Sequence, residues 1–121
     1  MSNKYNAVYN FYHSVSNFTD DEHISNTTKS GLLNDVSSEI TKLKNSLIGN
    51  RELSNIDKDK VAAMIADLHD VMRHNATADI RSLSKKINVA ALKGVMQIEI
   101  KEDIQNEIKI QLMEQAAAKL K

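Results

Sequence analysis

Gly31-Leu32-Leu33-Asn34-Asp35-Val36-Ser37-Ser38-Glu39-Ile40-Thr41-Lys42-Leu43-Lys44-Asn45-Ser46-Leu47-Ile48-Gly49 carries its apolar residues at helical spacing. Val36, Ile40, Leu43 and Leu47 recur at intervals of four, three and four, with Leu33 close to the same line. At 100° per residue these five fall within about 80° of arc, the narrow seam of a helix that packs on other helices in coiled-coil fashion. Gly49 stands where a left-handed C-cap belongs. The spacing predicts a helix over about 31–48.

The next segment downstream repeats the pattern. Asp57 is a good N-cap residue, with Ile56 and Val61 placed as a staple pair. Val61, Met64, Ile65, Leu68, Val71 and Met72 share one face of a helix over about 58–74. His69, Arg73 and His74 lie in its last turns, where positive charge suits the helix dipole. Thr77 is the expected cap of a further helix bearing Ile80, Leu83 and Ile87, which Gly94 either ends or indents.

Upstream, Tyr5, Val8, Tyr9, Tyr12 and Val15 define one apolar face over about 3–18, with Phe11 and Phe18 at its edge. Every aromatic residue of the chain lies in this segment. The expectation is that these rings fill a core; the alternative is an exposed aromatic patch for a partner. Thr19-Asp20-Asp21-Glu22 matches a capping box with Phe18 as staple, so a short helical turn should follow. Residues 25–31 form the weakest stretch for regular structure.

From Val95 onward the pattern changes. Met96, Ile100, Ile104, Ile108, Leu112, Ala116 and Leu120 form a row at every fourth residue. Because four residues overshoot one turn by about 40°, the row winds around the helix, and Ile98, Ile110, Met113 and Ala117 fill much of what remains. A helix that is apolar nearly all round is either central to a fold or shared between subunits. A rival reading takes Met96–Ile98–Ile100 and Ile108–Ile110–Leu112 as two alternating strands. No Asn-Gly or other glycine turn joins them, and the intervening Glu, Gln and Lys favour helix.

The remaining composition supports an all-helical chain and removes several chemistries. The 121 residues include 16 basic and 16 acidic side chains, three glycines, and no Pro, Cys or Trp. Almost free of helix breakers, the chain favours helices. Without cysteine there is no disulfide framework, thiolate nucleophile or cysteine metal site. The longest apolar run, Val61 to Ala66, is far short of the ~20 residues that span a bilayer. No signal-peptide apolar region follows the N-terminus, so the expectation is a cytoplasmic protein with no membrane role. Zero formal charge argues against a whole-chain electrostatic binder of nucleic acid or membranes.

Candidate chemistry is sparse. Asp70 and His74 share a helix face and could offer two metal ligands, but His69 points elsewhere and nothing marks a third. Asp20, Asp21, Glu22 and His23 are neighbours at a helix start, where acidic residues are favoured without any catalytic role. No phosphate-cradling loop, dinucleotide fingerprint, metalloprotease helix or nucleophile elbow occurs. Neither a cofactor nor a small-molecule substrate is indicated, and no catalytic or metal residues are assigned. Residues 80–95 resemble a helix-turn-helix, with Leu83 and Ile87 inside, Ser84 at the close approach and Asn88 in the turn. Between 73 and 93, Arg73, Arg81, Lys85, Lys86 and Lys93 stand against Asp79 alone, a local charge of +4. Gly94 departs from the motif, which wants a buried side chain there. An acidic stretch follows, with Glu99, Glu102, Asp103 and Glu107 against Lys101.

The sequence thus predicts an all-α bundle of four to five helices. Residues 1–121 form a single helical domain with a less ordered connection near 25–31, and the helix over about 95–120 is central or shared between subunits. The leading functional expectation is a non-enzymatic protein–protein interaction module of chaperone, inhibitor or assembly-subunit type. It would be self-associating through Ile100, Ile104, Ile108, Ile110, Leu112 and Met113. Burying five such side chains contributes on the order of 10 kcal/mol before entropic costs. The alternative is a DNA-binding transcriptional regulator using Arg81, Lys85, Lys86 and Lys93.

Overall fold

The computed structural model describes residues 3–49 and 54–99, together with 114 and 117. Five helices follow one another: α1 (Asn3–Phe18), α2 (Asp21–Ser25), α3 (Lys29–Leu47), α4 (Asn55–His74) and α5 (Ile80–Glu99). No strand occurs among the described residues. The four long helices form an up-down-up-down bundle, and α2 is a single turn within the α1–α3 connection. α1 lies between α3 and α5, α5 between α1 and α4, and α3 and α4 make the loosest of the four neighbour pairs. Lys60 on the first turns of α4 donates to the Gln97 carbonyl at the end of α5 (3.1 Å), which fixes their antiparallel course. Lys29 at the start of α3 donates to the carbonyls of Ala76 and Ala78 in the α4–α5 connection, the latter at 2.9 Å.

Each helix buries the stripe its periodicity demands. Val36, Ile40, Leu43 and Leu47 are all in the core, as the spacing requires, joined by Leu32. Leu33 is only half-buried, so the buried line of α3 passes one residue earlier there than expected. On α4, Val61, Met64, Leu68 and Met72 are buried, with Ile65 and Val71 half-buried at the edges. On α1, Val8, Tyr12 and Val15 are buried together with Phe11, which the sequence placed at the edge; Tyr9 and Phe18 are half-buried. With α3 on one side and α5 on the other, α1 buries a wider arc than a surface helix would, and Phe11 falls inside it.

Helix starts differ from the sequence expectation by up to three residues, for a common reason. α4 is capped by Ser54, whose side chain accepts from the backbone N–H of Asp57 (3.1 Å), so Asp57 is the third helical residue and not the cap. Ile56 is then exposed within the first turn and does not act as a staple. α5 is capped by Asp79, which accepts from Ser82 N–H (2.9 Å), and not by Thr77. α2 is capped by Asp20, which accepts from His23 N–H (2.8 Å), because the expected cap, Thr19, is buried and used elsewhere. Where several Ser, Thr or Asp side chains stand in a row, local preference is nearly degenerate, and packing of the first buried residue selects among them. α3 begins at Lys29 under a Thr28 cap, so the weak stretch near 25–31 shrinks to a connection of three residues.

Two glycines have structural roles. Gly49 adopts φ +77°, the left-handed cap expected after α3. Gly94 neither ends nor indents α5, which runs through it to Glu99. A Cβ at Gly94 would lie 2.2 Å from Met64 Cγ and 2.7 Å from Met64 Cβ. Gly94 is thus a point of close approach between α4 and α5.

Candidate functional site

Three regions outside the apolar core gather side chains that could act on something else. The first is an apolar groove between α3 and α4. α3 ends at Leu47, Ile48 leaves it in extended conformation, and Gly49 turns the chain away. Ile48 is therefore left 69% exposed at the mouth of the groove. Val61, Ala62, Ile65 and Ala66 of α4 form the floor, Leu47 and Ile48 the opposite wall, and Lys44, Lys58 and His69 the rim. The groove holds roughly 590 Å3. It exists because Ala62 and Ala66 face α3 at positions where larger residues would fill the gap. Among the described residues no acidic side chain lines it. The sequence pattern gave little notice of this surface: Ala62 and Ala66 read as neutral helix positions, and only Ile48, lying off the α3 stripe, signalled unburied apolar area.

The second region is the basic stretch of α5. Residues 80–99 form one continuous helix, and no non-glycine residue described has positive φ. The helix-turn-helix expectation fails at Asn88, which is an interior helix residue, because its side chain is anchored in the core. Arg81 pairs with Asp21 (3.3 Å), and Lys86 donates to the Asn75 side chain (2.8 Å). Lys85, Lys86 and Lys93 line a shallow depression with Val89 and Ala90. Asp67 and Asp70 of α4 stand on its other side, so the +4 of the linear sequence faces carboxylates in space.

The third is a buried polar relay between α1 and α5. The Tyr12 hydroxyl donates to Asn88 Oδ1 (3.0 Å), and Asn88 Nδ2 donates to Thr19 Oγ1 (2.9 Å). The Thr19 hydroxyl donates back toward the carbonyls of Val15 (3.0 Å) and Ser16 (3.2 Å). Burial pushes the Tyr12 phenol up to about 12. Every polar group of the relay finds a partner within it. Its work is to fix the register of α1 against α5, since sliding either helix by a turn would leave buried donors unsatisfied.

The histidines and carboxylates singled out in the sequence are dispersed. Arg73 holds the Asp70 carboxylate at 2.6 Å, and His74 Nδ1 lies 2.9 Å from the Asp70 carbonyl, so that nitrogen carries the proton. His23 Nε2 meets Asp35 Oδ2 at 3.1 Å, joining α2 to α3, while Phe18 packs against the same imidazole. Among the described residues no group of three His, Asp or Glu side chains is arranged to hold a metal. The candidate interface residues Ile100, Ile104, Ile108, Ile110, Leu112 and Met113 lie outside the described residues, as does the second half of the rival strand reading. Its first half is overturned at Met96 and Ile98, which are helical in α5. Glu114 and Ala117 are helical and exposed.

Fold and surface together define a small all-α bundle with an open apolar groove between α3 and α4. No described helix is long and apolar enough to cross a membrane. No family model matches this chain, and no curated protein or solved structure is significantly similar to it.

Proposed function

We propose that this protein is a non-enzymatic helical interaction module that self-associates through residues 100–121. The observation that carries this reading is that the described helices already share one apolar core. Val8 to Ile98 supply that core, in which the stripes of α1, α3, α4 and α5 are all buried. The six apolar residues Ile100, Ile104, Ile108, Ile110, Leu112 and Met113 lie beyond it in the sequence.

Helical phase supports the same conclusion. The buried stripe of α5 includes Leu83, Ile87, Ala91, Val95 and Ile98. Continued at 100° per residue, Ile100 falls about 160° from Ile98 around the helix and Ile104 about 120°. Ile100 and Ile104 are thus out of phase with the side of α5 that meets its own bundle, while Ile108, Leu112 and Met113 wind back to within about 80°, 40° and 60° of Ile98. No single flat surface covers a row that winds in this way, which favours a further partner.

Sedimentation or light scattering of the full chain between about 1 and 100 µM tests the reading. The expected result is a concentration-dependent mass above 13.6 kDa, reduced to that of a single chain by Ile104→Glu with Ile108→Glu. A wild-type mass of 13.6 kDa throughout would overturn it.

A further inference from the structure

We draw no further inference here: the strongest candidate, the apolar groove between α3 and α4 with Ile48 at its mouth, carries nothing because nothing in the structure shows what covers it, and the depression between α4 and α5 sets its lysines against aspartates of the same chain.

Discussion

Gly94→Ala sets two effects of opposite sign against each other. Alanine is a better helix former than glycine by about 1 kcal/mol in a helix interior, so propensity alone predicts stabilisation. Against this, the new methyl would sit 2.2 Å from Met64 Cγ, 2.4 Å from its sulfur and 2.7 Å from its Cβ. A different Met64 rotamer can move the Cγ and sulfur, but the Cβ is fixed to the α4 backbone. Relief therefore requires α4 and α5 to separate by several tenths of an ångström along the most extensive helix–helix contact of the bundle. Overpacking of a well-filled core costs about 1–3 kcal/mol, and backbone involvement places this case near the upper end. The net expectation is destabilisation by about 2 kcal/mol, or a fall in Tm of about 8 °C for a domain of this size. Chemical denaturation and thermal melts followed by circular dichroism at 222 nm measure both. In a Met64→Ala background the fixed Cβ remains, so the same change should still destabilise, though by less than in the wild type. A rise in Tm for Gly94→Ala would refute the reasoning, because propensity would then outweigh a contact that is not close.

The polar relay makes a pH prediction. Because Tyr12 is raised from 10.0 to about 12 by burial, its contribution is fully present below pH 10 and is lost as pH climbs from about 10 through about 12. The stability gap between wild type and Tyr12→Phe should shrink over that window, and a constant gap would contradict the burial. Asn88→Ala strands the Tyr12 hydroxyl in the core and should cost about 2–3 kcal/mol, whereas Tyr12→Phe with Asn88→Leu should cost distinctly less than the two single changes summed. Ser54→Ala removes the cap of α4 and should cost about 1 kcal/mol by urea denaturation, while Thr77→Ala, which removes no cap, should cost under ~0.5 kcal/mol.

Much of the bundle is written in local periodicity. Val36, Ile40, Leu43 and Leu47 could only be a helix seam at that spacing, and they are. Gly49, followed by no apolar residue in register, had to end it. Such features depend on the geometry of one helix, which any window of the chain contains. The relay was not legible in the same way. Asn88 read as a turn residue and Thr19 as a cap because isolated Asn and Thr favour those places; the pairing of Asn88 with Tyr12 across 76 positions and with Thr19 across 69 reversed both assignments. The groove was illegible for a related reason, since Ala62 and Ala66 say nothing until it is known which helix lies opposite.

The sequence by itself determined that this protein is helical and nearly which face of each described long helix is buried, because a 3.6-residue period and the lack of Pro leave the backbone few other ways to hide its apolar side chains. Tertiary structure alone decided which of several adjacent Ser, Thr or Asp residues caps each helix, why Gly94 must lack a side chain, and that the basic cluster of α5 faces Asp67 and Asp70. These depend on distances between segments far apart in the chain. A local pattern carries no information about such distances until the helices have packed.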